Sequence, residues 1–372
     1  MTKDKKTGFK MLYLMNVNWH WIKQRPHFLA IHLSRFFELS VFYPSSARYL
    51  LKGNNAPSNF RGLFQLPFGR FVLIRKINNF IYYFLLKKQL KDADILWISD
   101  PRHFAVISDL VSPEMIVFYD CMDDVVAFGQ REGMSAVISQ LEGRLVERAN
   151  HIVVSSQKLK SVLINRYHAG KKIEVVNNAI DNSLLESKLV NKSVDFPAKR
   201  ENVDLLYIGT ISDWFDFPLL VSSLNRHQEL RLILIGPLFT ELPSHDRIIH
   251  LGKKAHEDLP AFMNKADALV MPFIINDLIQ AVNPVKLYEY IVSEKPIITC
   301  DYSEMKNFDD FIYTYNSSEQ FEYLIKKLFE GDLMVKSRDE RVQFLSDNVW
   351  GKRAETIAEI LINGIRIAPL RD

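Results

Sequence analysis

Short apolar runs alternate with amphipathic helical segments along this chain, and the alternation starts over about halfway. In the first half the runs are MLYLMN (11–16), LSVFYP (39–44), ILWIS (95–99), MIVFYDC (115–121), HIVVSS (151–156) and IEVVNN (173–178). Helical segments at about 26–38 and 134–149 lie among them. VDLLYIG (203–209), LRLILIG (230–236), IIHLG (248–252), ALVMPF (268–273) and PIITC (296–300) repeat the scheme, with helices at about 217–226, 257–266 and 284–294 between them. Strands this apolar are buried on both faces, and strand–helix alternation builds parallel sheets with right-handed crossovers. The pattern predicts two doubly wound, Rossmann-like α/β domains, 1–180 and 181–345, joined near NNAIDN (177–182). The stretch 346–365 reads as a last amphipathic helix outside both sheets, within a terminal segment 346–372. Ligands of such sheets bind beyond the carboxyl ends of the strands, so an active site is expected in a cleft between facing domains.

Composition narrows the class. A chain of 372 residues, 48% of them hydrophobic, can fill two cores. The basic start MTKDKKTGFK is followed by too short an apolar run for a secretory leader. The longest fully apolar run, FIYYFLL (80–86), is far short of the ~20 residues of a membrane span. Cys121 and Cys300 lie far apart and suggest a reduced, cytosolic chain; no HExxH or CxxC occurs, so no structural metal is expected. Residues 1–180 carry 25 Lys+Arg against 14 Asp+Glu, whereas 181–372 carry 22 against 30. That asymmetry supports a boundary near 180 and an anionic partner for the first half.

NPVKLYEYIVSEKP (283–296) reads as a helix with Asn283 as N-cap and Pro284 in first position. Lys286 then sits at the positive end of the macrodipole, where an unpaired cation costs a few tenths to about 1 kcal/mol. An anion bound on the helix N-terminus would repay that cost, with Glu289 on the same face; a solvated Lys–Glu pair on an ordinary helix is the alternative.

NVNWHWIKQRPHFLA (16–30), FYDCMDDV (118–125), YIGTISDWFDF (207–217) and NPVKLYEYIVSEKPII (283–298) together resemble the GT-B glycosyltransferases that build bacterial capsular, teichuronic-type and exopolysaccharides. The resemblance implies that the backbone from Asn283 through Pro284 to Val285, with Lys286, binds the diphosphate of a nucleotide sugar, UDP-linked by family expectation. It implies that Glu289 takes the ribose hydroxyls and that Gly209 and Thr210 approach the same phosphates. It also implies a final helix that crosses back to the first domain, and a loop GKKAH (252–256) framing the base. Two departures stand out. The retaining relatives carry a second glutamate that would fall at Ala281, and the loop TISDWFD (210–216) offers acids where many relatives have an Arg and a Lys. Both bring the chain closer to relatives resembling the xanthan-type glucuronosyltransferases, which invert.

Inversion needs a carboxylate to take the acceptor's proton. Asp120, Asp123 and Asp124 supply three, and crowding raises their pKa values. Asp123 matches the base of the xanthan-type enzymes, with Asp124 beside it and Asp120 organising the loop; helix capping is the alternative for Asp123 and Asp124. In the loop after the first strand, Trp19 and Trp21 could stack on sugar rings while Arg25 and His27 hold an acidic acceptor. His20 and His27 could equally satisfy local hydrogen bonds, and Trp21 could be core. The segment 70–91, with Arg70, Arg75, Lys76, Lys87, Lys88 and Lys91 among aromatics, reads as an interfacial helix; an ordinary domain helix with charged ends is the alternative. The implied acceptor is a glycan or a polyprenyl-diphosphate lipid at the inner leaflet, with no cofactor, no metal and no nucleic acid. A nucleotide-sugar epimerase on the same scaffold and a non-catalytic binding protein are the rival functions.

Overall fold

The computed structural model describes residues 7–21, 23–46, 56–69, 71–130, 133–170, 173–186, 193–198 and 201–367. Residues 1–6 of the basic start, Arg70 and residues 368–372 lie outside them. Two compact units divide the chain: 1–178 with 350–372, and 179–349.

The first unit is a seven-stranded sheet in the order β3-β2-β1-β4-β5-β6-β7. Its strands are β1 (Lys10–Leu14), β2 (Glu38–Ser45), β3 (Phe60–Phe64), β4 (Ile95–Ile98), β5 (Ile116–Cys121), β6 (His151–Val154) and β7 (Ile173–Val175). Every pairing is parallel. The two central strands, β1 and β4, are buried on both faces, and the Tyr13 and Trp97 rings stack 3.7 Å apart between them. β3 is absent from the sequence-based expectation, because Arg61 and Gly62 interrupt its apolar run; edge strands need no second buried face.

The second unit is a six-stranded parallel sheet in the order β10-β9-β8-β11-β12-β13. Its strands are β8 (Val203–Ile208), β9 (Leu230–Ile235), β10 (Ile248–His250), β11 (Ala268–Met271), β12 (Ile297–Cys300) and β13 (Tyr313–Tyr315). Edge strand β13 was also unanticipated; YTY is too short to show a pattern. The strand order reverses between β1 and β4 in one sheet and between β8 and β11 in the other, the places where open α/β sheets bind ligands.

The expected terminal helix, 346–365, is found as Trp350–Ile367, and a separate, unanticipated helix, Arg338–Asp347, precedes it. Helix Arg338–Asp347 belongs to the second unit, where the Asn348 carbonyl accepts the Ile180 N–H at 2.9 Å and Val349 bridges Ile180. Helix Trp350–Ile367 falls in the first unit, where Trp350 stacks on Phe28 of helix Arg25–Leu33, 5.4 Å between ring centroids. That backbone pairing of 348–349 sets the later start of the terminal helix, and no helical period signals it.

Candidate functional site

In the second unit the loop after β8 is held tightly. The Tyr207 hydroxyl donates to the Thr210 carbonyl at 2.9 Å, and a Cβ on Gly209 would lie 2.5 Å from that hydroxyl. Gly236, at φ +141°, lets the Gly209 carbonyl approach so closely that no side chain could stand there.

Helix Val285–Ile291 lies on the connection from β11, a strand that borders the switch point, to β12, after the short helix Asp277–Gln280. It is shorter than the expected 284–294 and starts one residue later. Pro284 occupies the cap position, and Asn283 is not an N-cap: its side-chain amide donates to the buried Glu304 at 3.1 Å. Lys286 is therefore the second helical residue. At the other end the Arg341 guanidinium donates to the Ile291, Val292 and Ser293 carbonyls at 3.2, 2.8 and 2.7 Å, which stops the helix. The Tyr290 hydroxyl accepts the Ile208 N–H at 2.7 Å and ties the helix to the end of β8.

Lys286 Nζ donates to Glu289 Oε2 at 2.6 Å, and His256 Nε2 lies 3.5 Å from Glu289 Oε1. Burial opposes ionisation of Glu289, but the Lys286 charge and hydrogen bonds from His256 and Lys286 prevail and hold its carboxyl at about 2. His256, in the GKKAH loop, thus stands beside Glu289. Lys286, Glu289 and the first amides of the helix form a compact cation–carboxylate–amide set suited to a phosphorylated sugar nucleotide. A separate cavity of about 570 Å³ opens between Asp216, Arg226, Asp301 and Ser317 and includes neither Lys286 nor Glu289.

In the first unit β5 delivers the acids. Asp120 is fully buried, and its Oδ1 accepts from Arg25 Nε and Nη2 at 3.0 and 2.9 Å. Arg25 Nη1 continues to the Val176 carbonyl at 2.7 Å. Arg25 is consequently a buried tie between helix Arg25–Leu33, β5 and the chain after β7. Its guanidinium is not presented to an acceptor, in contrast to the expectation from its place in the loop. His27 is buried too: its Nδ1 accepts the Gln24 N–H at 3.2 Å and its Nε2 donates to the Asn18 carbonyl at 3.2 Å. Burial lowers its pKa, so it is a neutral capping residue and not an anion holder. Trp19 packs edge-on against Phe60 at 4.7 Å and is partly buried, while Trp21 is half-exposed and not part of the core.

Asp124 is the capping acid. Its Oδ1 accepts the Val126 and Ala127 N–H groups at 3.1 Å each, and Arg166 donates to its two oxygens at 2.9 and 2.7 Å. This occupies the carboxylate, so Asp124 is a structural acid, in contrast to the catalytic part expected beside Asp123. Arg166 also reaches Glu142, whose carboxylate accepts from the Tyr119 and Tyr167 hydroxyls at 2.6 Å each. Arg166 and Glu142 escaped the sequence reading, since they sit on helices 42 and 18 residues from Asp124 with no local motif.

Asp123 differs. It is partly buried, and among the described residues its carboxylate accepts no hydrogen bond; Cys121 Sγ reaches only its backbone carbonyl, at 3.5 Å. Burial raises its pKa, Arg25 pulls it down, and Asp120 and Asp124 push it up again, to about 6. A carboxylate so placed can accept a proton near neutral pH. No cluster of three or more His, Cys, Asp or Glu side chains that could hold a metal occurs among the described residues.

Comparison with solved structures defines the class: both units together have the GT-B fold of glycosyltransferases. HepE of Anabaena, solved with UDP-glucose, superposes with a TM-score of 0.67 at 16% identity, over 95% of this chain and 99% of that one. Sucrose-phosphate synthase of Thermosynechococcus elongatus gives 0.72 at 12% identity, over 97% and 100%. Among curated proteins the chain is similar to TuaH of Bacillus subtilis (strain 168), named as a glycosyltransferase of teichuronic acid biosynthesis. The two are 27% identical over 235 residues, 59% of this chain and 59% of the length of TuaH. No family model matches.

Proposed function

We propose that this protein is a glycosyltransferase that moves a sugar from a UDP-sugar to a hydroxyl of a glycan or polyprenyl-diphosphate-linked acceptor, with inversion, in bacterial surface polysaccharide synthesis. The observation that carries the transferase reading is the Lys286–Glu289 pair, 2.6 Å apart, on the helix that follows the switch-point strand of a GT-B fold. The UDP and UDP-glucose complexes of HepE and the naming of TuaH support the donor class and the pathway. The place of the reaction in this reading is the inner face of the plasma membrane.

In the reaction the acceptor oxygen attacks C1 of the donor sugar while the bond from C1 to the diphosphate oxygen breaks. The acceptor's proton passes to Asp123. Lys286 and the amides of Val285 and Lys286 take up the charge that develops on the leaving diphosphate, a task this reading gives to protein groups and not to a metal ion. Glu289 holds the ribose, and Gly209 and Thr210 line the phosphate path. Asp124, committed to Arg166, holds the loop that carries Asp123. Inversion is favoured because Ala281, a small buried residue, stands where a retaining relative's first glutamate would be.

The test is a panel of nucleotide sugars with lipid-linked and free glycan acceptors, read by mass spectrometry, with the anomeric configuration of the product read by NMR. Transfer with an inverted linkage is expected. Conversion of the nucleotide sugar without acceptor would replace the reading with an epimerase, and UDP binding without turnover would replace it with a binding protein.

A further inference from the structure

Helix Val72–Lys91 has two apolar faces, and its own unit uses one. Asn78, Tyr82, Leu86 and Leu90, spaced four apart, are buried. Asn78 fixes that face by accepting the Leu66 N–H at 2.9 Å and donating to the Leu66 carbonyl at 3.2 Å. At 100° per residue the opposite side carries Leu73, Ile77, Phe80 and Phe84, which are 70, 40, 64 and 57% exposed. The Phe80 and Phe84 rings touch, 4.5 Å between centroids. Phe68 and Phe71, both largely exposed, add to the amino end, Phe68 in the left-handed conformation that a bulky residue rarely adopts. Single exposed hydrophobes are ordinary on a protein surface; a continuous row of them along one helix face is not.

Within the helix the charges share one sign, and the nearest acid in sequence, Asp92, lies just past its last residue. Arg75, Lys76, Lys87, Lys88 and Lys91 are all exposed, and residues 71–91 contain no acid. Lys76 and Lys87 flank the row on one side, Lys88 on the other, and Lys91 continues it. A second copy of the helix laid on this face would set lysine against lysine. A sheet of anionic headgroups over acyl chains meets both features in one plane, since aromatic rings settle at the headgroup–chain boundary while lysines reach the phosphates. No helix among the described residues is long and apolar enough to cross a membrane, so this one would lie in the surface.

We propose that the Leu73–Ile77–Phe80–Phe84 face, with its lysine rim, is the surface by which this protein docks on an anionic lipid bilayer. The inference deepens the proposed reading by naming where the acceptor-bearing membrane is met, and rests on that reading for the acceptor alone. Apolar insertion distinguishes it from simple adsorption of a basic domain, because salt weakens the lysine contacts and leaves the stripe in place.

The experiment is flotation of the full chain with vesicles of phosphatidylglycerol and phosphatidylethanolamine, and with phosphatidylcholine vesicles as the neutral control. Wild type is expected to float with the anionic vesicles and to stay partly bound in high salt. The double variant Phe80→Ser with Phe84→Ser should lower the bound fraction by about tenfold or more at any salt, and Lys76→Gln with Lys87→Gln and Lys88→Gln should do so at low salt. Unchanged far-ultraviolet circular dichroism and an unchanged cooperative unfolding transition in urea would show that both variants are folded. A Leu73→Cys protein carrying an environment-sensitive dye should shift to the blue on anionic vesicles; the native Cys121 and Cys300 are buried. Failure to float, equal binding to neutral vesicles, full release by salt, or self-association lost in the Phe80→Ser/Phe84→Ser protein would each overturn the proposal. Flotation that passes while no sugar is transferred would leave this surface standing and remove the transferase reading.

Discussion

Asp124 gives both carboxylate oxygens to Arg166, at 2.9 and 2.7 Å, and Asp120 gives one to Arg25. Asp123, between them in sequence, is bonded to neither cation. Of three acids within five residues, two are structural by their partners and one is available for chemistry.

Asp123→Asn should therefore keep UDP affinity and lower turnover by about 10²-fold or more, the usual scale of a lost general base. Asp124→Asn should cost much less, because asparagine can still cap the helix. A stopped assay with both variants decides this, and near-normal turnover in Asp123→Asn would remove the proposed mechanism.

The acid limb of the rate profile should follow Asp123, whose pKa of about 6 is raised first by burial and then by its acidic neighbours. Removing one negative neighbour with Asp124→Asn should move that limb to lower pH. Arg166→Gln leaves the Asp124 charge uncompensated and should move it to higher pH. Carbon-13 NMR titration of the Asp123 carboxyl should show the same two directions without any turnover.

The same residue should weaken the fold. Below 3.8, the ordinary aspartate value, both folded and unfolded chains are protonated at Asp123 and it contributes nothing. Between 3.8 and about 6 the unfolded chain ionises while the folded one keeps its proton, so stability falls as pH rises. The accumulated penalty is about 2–3 kcal/mol, constant above that window. Asp123→Asn should be more stable than wild type by up to that amount in urea denaturation at neutral pH, and by much less in acid.

For the donor, Lys286→Ala and Glu289→Ala should each weaken UDP binding by about 1–3 kcal/mol, the range for a lost charged hydrogen bond. Calorimetric titration giving wild-type affinity for both would sink the donor site.

Arg25→Leu should behave as a folding variant. It strands the Asp120 carboxylate, and breaking a buried pair this way costs about 3–5 kcal/mol. A variant of normal stability in denaturant with a raised acceptor KM would instead restore Arg25 to the acceptor site.

These residues show what a sequence can disclose. The central strands were legible because strands buried on both faces are uninterrupted apolar runs, as in ILWIS and LRLILI. Edge strands FRGLF and YTY bury less and carry no such mark. Lys286 and Glu289 were legible because three residues of helix bring them together. Arg25 was misread: its partner lies 95 residues away, and nothing near RPH announces that the guanidinium turns inward. Asn283 misled in the same manner, since a good cap residue became the partner of a buried glutamate 21 positions on.

Gly236 carries a consequence for mutational tolerance. Its missing side chain is the space into which the Gly209 carbonyl fits, so any substitution there would push back the start of the loop after β8, at Gly209 and Thr210. In a library scored for sugar transfer, position 236 would look as intolerant as Lys286, though its role is only to leave room. Scored for abundance alone, the two would part: Lys286→Ala, with His256 still beside Glu289, would lose less than any variant at 236.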